Sequence, residues 1–234
     1  MNFFGYCDII YKTSYVGQKR RQTGADMEND RVFDIVSEIE ERHKETEEGF
    51  SYKDSLKLKE LSAIADEWVK GNVPATDKAA INAYLGKAYE RMGRVYPAAK
   101  RYTLSVGFFA EAFLSDEKQR EAFAKNLASA VKCRNYYEDD DCADLKELSL
   151  KVLGEEFDFS SLLSHCRSLK HDPIEKSEKY LAVIDEVDEK ISKNRTVYGM
   201  GACHEMWGLK ARFLAEKGIE WHSPAVLNPC VRFD

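Results

Sequence analysis

Apolar residues recur every three to four positions along nearly all of the chain beyond residue 26, a spacing that suits helices and little else. Ile81, Tyr84, Leu85, Ala88, Tyr89 and Met92 form the clearest stripe. Gly93 follows where a helix end favours a residue without a Cβ. Val32, Ile35, Val36 and Ile39 fall on one helical face, as do Leu58, Leu61, Ala65 and Trp68. Phe123, Leu127, Ala130 and Val131 mark another helix, behind the capping start Ser115-Asp116-Glu117. Shorter stripes follow at Leu145, Leu148, Val152 and at Leu162, Leu163, Cys166, Leu169. Asp172-Pro173-Ile174-Glu175 reads as a helix start with a capping box, ahead of Tyr180, Ile184, Val187 and Ile191. A last helix is predicted from about Ala202 to Lys217, with an extended tail beyond Gly218. No stretch alternates long enough for a confident strand, so the fold class is all-α, built of antiparallel helical hairpins.

Composition narrows the class further. In 234 residues, 35 Lys and Arg face 41 Asp and Glu, a net charge of −6. The one basic triplet, Lys19-Arg20-Arg21, is too isolated to neutralise a phosphate backbone, so no nucleic-acid partner is expected. Only 5 Pro and 13 Gly leave little room for linkers. No apolar run is long enough to span a bilayer, and the start Met1 to Ile10 lacks a basic lead, so no membrane association and a cytoplasmic location are expected. The 6 cysteines show no paired spacing and read as reduced thiols, mostly core filler. The expected organisation is an N-terminal segment at 1–26, a helical-repeat region at 27–197, and a capping helix with tail at 198–234 that forms one domain with the repeats.

Residues 79–112 sharpen the reading. Leu85-Gly86, Tyr89, Gly93, Ala98, Tyr102 and Ser105 resemble the tetratricopeptide repeat, a helix–turn–helix of 34 residues. Gly86 and Ala98 stand where the helices must approach closely, and Tyr89 and Tyr102 fill the space between them. Asn82 and Ala110 depart from the family pattern. Leu127-Ala128 with Val131 looks like a second copy, but it starts too late for the 34-residue period and so needs an insertion through Asn135 to Asp141. The resemblance implies a short superhelical stack whose first helices line a concave face that binds a protein or peptide. On this chain that face would carry Ala80, Ala83, Lys87, Glu90 and Arg91. Lys87 and Arg91, one turn apart, could hold a carboxylate of the ligand; a solvated face balanced by Glu90 is the plainer reading.

The densest unusual chemistry lies at the C-terminus. Cys203, His204 and Trp207 share one helix, and His222 and Cys230 follow in the tail. Two apolar ridges, Ala202, Met206, Leu209, Phe213 and Cys203, Trp207, Ala211, Leu214, predict a helix buried on two sides. The strip His204, Gly208, Ala211, Ala215 offers a bed for the tail, with Trp221 packed in. A Cys203 nucleophile served by His204 or His222 is the enzyme alternative. Adjacent Cys203 and His204 point about 100° apart on a helix, so a zinc site with His222 and Cys230 is disfavoured. Gly199-Met200-Gly201 is too short a match for a phosphate loop, and Glu138 to Asp141 lacks the order of a calcium loop. No cofactor or metal is expected. This stretch also looks like tails of uncharacterised bacterial helical-repeat proteins, a resemblance that implies a bacterial origin and adds nothing about activity. A purely structural or self-associating helical protein, a homo-oligomer held by an exposed apolar patch, is the third reading.

Overall fold

The computed structural model describes residues 52–112, 117–137, 140–164 and 169–233. The stripe at 32–39, the basic triplet, Cys7, His43, His165 and Cys166 lie outside them. Among the described residues the fold is all-α, without a strand. The helices are α1 (Tyr52–Trp68), α2 (Ala75–Arg91), α3 (Val95–Glu111), α4 (Glu117–Arg134), α5 (Ala143–Leu153), α6 (Phe159–Ser164), α7 (Glu178–Asn194), α8 (Ala202–Glu216) and α9 (Pro224–Leu227). None is long and apolar enough to cross a membrane.

The α2–α3 pair is the most closely packed in the fold, and its clasp is the one the residue types predict. A Cβ built on Gly86 would come within 2.9 Å of the Tyr102 ring, so only glycine admits that contact. Ala98 is fully buried, and Ser105 donates to the Ala79 carbonyl at 2.8 Å across the pair. Gly93 makes the turn at φ 69°, a left-handed conformation glycine adopts at no steric cost. The α3 helix begins at Val95, so Pro97 falls within its first turn. Proline is tolerated there because the first-turn N–H groups have no intrahelical partner.

Asn82 departs from the repeat pattern for a local reason. It is fully buried and accepts from Arg101 Nη1 at 3.2 Å. The Arg101 guanidinium also forks onto both Asp66 oxygens at 2.6 and 3.0 Å and donates to the Ser62 carbonyl at 3.2 Å. One buried cation thereby pins α1, α2 and α3. Around this knot, Leu58, Leu85, Phe123, Leu127 and Leu145 build a core shared by α1 through α6.

A second, smaller core holds Tyr180, Ile184, Val187, Phe213, Leu214, Ile219 and Trp221. It joins α7 to α8 and the tail. Glu178 opens α7 behind a Ser177 cap, whose Oγ accepts from the Tyr180 N–H at 3.2 Å. The start signal at Asp172 instead caps a separate 3₁₀ turn, Pro173–Lys176, through the Ile174 N–H at 3.0 Å. Glu175 does not reach back as a capping box would; it turns to α8 and the tail. The tail is extended except for α9, capped by Ser223.

One place where the two cores meet is Asp185 of α7. Its Oδ1 accepts from Ser55 Oγ at 2.5 Å and from Arg94 Nη2 at 3.0 Å, and Lys59 Nζ pairs with its other oxygen. Arg94 also bonds Asp188 at 2.6 Å. Burial alone would push the Asp185 carboxyl up, but the hydrogen bonds from Lys59, Ser55 and Arg94 outweigh it and hold the group below its ordinary 3.8.

Candidate functional site

Two regions carry the residues singled out by sequence. The first is the outer side of α2. Ala83 and Lys87 are half-buried there and Arg91 is exposed. Lys87 and Arg91 stand one turn apart, as the helical period requires. Glu90 has become a cross-brace: Oε2 accepts from Tyr102 Oη of α3 at 2.9 Å, and Oε1 from Lys132 Nζ of α4 at 2.9 Å. Burial, then the Glu90 charge, push the Tyr102 phenol far up, so it stays a donor. The brace thus ties the end of α2 to the end of α4 across α3, which packs between them.

The second region is the C-terminal segment. His204 Nε2 lies 3.1 Å from the Phe233 carbonyl oxygen. Trp207 packs edge-on against both the His204 ring, at 5.5 Å between centroids, and the Phe233 ring, at 5.1 Å. These three form one contact between α8 and the end of the tail. His222 takes a different partner. Its N–H donates to Asp172 Oδ2 at 2.7 Å and its Nδ1 lies 3.1 Å from the same oxygen. Cys203 is a half-buried free thiol in the first turn of α8, and Cys230 an exposed free thiol in the tail. Among the described residues no group of three or more His, Cys, Asp or Glu converges as a metal would need.

The tail covers less of α8 than the ridges suggest. Only Phe213 and Leu214 of that helix are buried, while Met206 keeps 38% of its surface. Gly208 and Ala215 are exposed, so the small-residue strip is not the tail's bed. The reason is geometric: α8 packs along one helix, α7, and the tail meets it at separated points, Phe233 at His204 and Trp207 and Trp221 at Lys210. The turn before α8 stands out from the surface, with Tyr198 at 66% and Met200 at 88% exposure. Glu205 holds that turn by accepting from both N–H and Oγ1 of Thr196, at 3.0 and 2.6 Å, and from the Val197 N–H at 2.7 Å.

A third cluster escaped the sequence reading. Glu175 is buried and accepts from Trp221 Nε1 at 2.7 Å, Lys210 Nζ at 2.9 Å and Tyr137 Oη at 3.1 Å. The Lys210 ammonium also sits over the Trp221 ring at 4.4 Å and the Tyr180 ring at 5.3 Å. His171 stacks on Tyr136 at 3.6 Å, and burial holds its imidazole below the ordinary 6.5, favouring the neutral ring. These groups come from five separate segments, and their spacing in the sequence follows no period. The one available signal was a glutamate, Glu175, in a sequence position where capping explained it fully.

Compared with known proteins, the chain matches no protein family, no curated protein and no solved structure.

Proposed function

We propose that the chain is a cytoplasmic helical-repeat module of tetratricopeptide-like architecture that binds a peptide or a partner protein along α2 and α4. The supporting observation is the Gly86–Tyr102 clasp together with the Glu90–Lys132 brace. The clasp makes α2 and α3 one hairpin, α4 packs on α3, and the brace ties α4 across it to the end of α2. That is the arrangement by which helical repeats build a continuous ligand face. On this reading Lys87 and Arg91 hold a carboxylate of the bound peptide, and Glu90 keeps the face in shape without touching the ligand.

The test is fluorescence anisotropy of the full chain with a library of short peptides ending in a free carboxylate, beside the same library amidated. Selective binding of free-carboxylate peptides, weakened about tenfold by Lys87→Ala or Arg91→Ala, is the expected result. No binding, or equal binding of both libraries, refutes it.

A further inference from the structure

We propose that Glu175, Trp221 and Tyr180 form a binding site for a primary ammonium ion, filled in this structure from within the chain by Lys210.

The walls carry the chemistry that recognises an ammonium. Lys210 Nζ donates to Glu175 Oε1 at 2.9 Å. The same nitrogen lies 4.4 Å from the centre of the Trp221 ring and 5.3 Å from that of Tyr180. An aromatic face attracts a cation through its quadrupole, more strongly where water is excluded. Glu175, Trp221 and Tyr180 are all buried, whereas the Lys210 side chain keeps 19% of its surface exposed. The site therefore opens to solvent on its occupant's side, and it suits a thin methylene stem with a charged tip.

The carboxylate supplies the demand for a cation. Trp221 Nε1 donates to Glu175 Oε1 at 2.7 Å and Tyr137 Oη donates to Oε2 at 3.1 Å. Burial, then the Glu175 charge, push the Tyr137 phenol far up, so it stays a donor. These neutral donors satisfy hydrogen bonds but not charge. A buried anion without a cation is costly, and the Lys210 ammonium compensates it.

The walls are also set without their occupant. Trp221 and Tyr180 belong to the apolar cluster of Ile184, Leu214 and Ile219. The His222 N–H donates to Asp172 Oδ2 at 2.7 Å, which fixes the residue next to Trp221. Asp172 Oδ1 caps the 3₁₀ turn that carries Glu175, through the Ile174 N–H at 3.0 Å. None of these contacts uses Lys210. A cage held in this way keeps its shape when the ammonium is absent, so filling it costs little ordering. The occupant comes from α8, of which only Phe213 and Leu214 are buried. Lys210 thus docks α8 as a ligand would, with the advantage that a tethered amine has over a free one.

The test is an atom-for-atom replacement. Lys210→Ala removes the stem beyond Cβ, and the missing atoms are those of n-propylammonium. The full chain with this substitution is melted in n-propylammonium chloride, in potassium chloride of equal ionic strength, and in n-propanol as the neutral isostere. The melting midpoint should rise by several degrees in propylammonium alone, saturating with a Kd in the millimolar range, as a ligand of few atoms allows. If Lys210→Ala is unfolded by itself, the same readout is recovery of the far-ultraviolet helical signal on adding propylammonium. The wild-type chain and Lys210→Met, whose uncharged stem fills the same space, should show no such rise. Adding Glu175→Gln to Lys210→Ala should abolish the preference for propylammonium over propanol. No rise or recovery, an equal one in potassium chloride or propanol, or an equal one in the wild-type chain would overturn the proposal.

Discussion

The two cores of this protein are held together in different ways. In the α1–α6 core, helices touch along their length, through Gly86 against Tyr102 and through fully buried Leu58, Leu85, Phe123 and Leu127. In the α7–α8 core, a shorter apolar contact is extended by polar fasteners: Glu175 on Trp221, Asp172 on His222, Lys170 on Asn228. Close packing of small residues specifies a pair of helices in one register. Point fasteners specify a position yet leave the surface between them open, which is why Met206 and the turn at Met200 remain exposed. The contrast sets a closely packed scaffold in the first core against a point-fastened, partly open surface in the second.

The largest effects should mark the first core. Phe123→Ala removes a fully buried ring and should cost about 4 kcal/mol, read by urea denaturation, whereas Met206→Ala in α8 should cost well under 1 kcal/mol. Equal losses at the two sites would erase the distinction. Next, Asp185→Ala leaves Arg94 buried with Asp188 as its remaining partner and should cost about 3 kcal/mol. Since Asp185 joins the cores, this variant should also split hydrogen exchange, α7 and α8 opening ahead of α2 and α3. Uniform loss of protection would show the cores to be one cooperative unit.

The same group sets an acid limit. Its carboxyl lies below the ordinary 3.8 when folded, so the stabilisation is present above that value and disappears as pH falls through the folded one. Unfolding free energy should therefore drop below about pH 4, and Asp185→Asn should flatten that slope. The smallest effect is expected at the tail: Asn228→Ala should cost about 1 kcal/mol and raise proteolysis of 219–233 alone.

Much of the first core was legible in the sequence because its determinants are periodic and local. The stripe Ile81 to Met92 gave α2, and Gly86, Tyr102 and Ala98 announced the clasp by residue size. The polar knots were not legible. Arg101 meets Asp66 35 positions away, and Arg94 meets Asp185 91 positions away, and no period relates such partners. Glu175 shows the same limit: a capping role satisfied the local pattern, while the tertiary contacts with Lys210 and Trp221 took the side chain elsewhere. The burial of α8 was overread because its ridges show which sides are apolar but not how many neighbours arrive to cover them. Among the proposed site residues, Glu90 illustrates both sides: its helix face was evident, its brace to Tyr102 and Lys132 was not.

The clasp of α2 on α3 is most directly tested by a double-mutant cycle at Gly86 and Tyr102, with stability read from urea denaturation. Gly86→Ala alone should destabilise by about 2 kcal/mol, since the new methyl group meets the ring at 2.9 Å. In a Tyr102→Ala background the methyl group has room, and alanine's helix preference should make the same change neutral or stabilising by up to about 1 kcal/mol. Additive effects of the two substitutions would contradict the clasp and the stacked hairpins that rest on it.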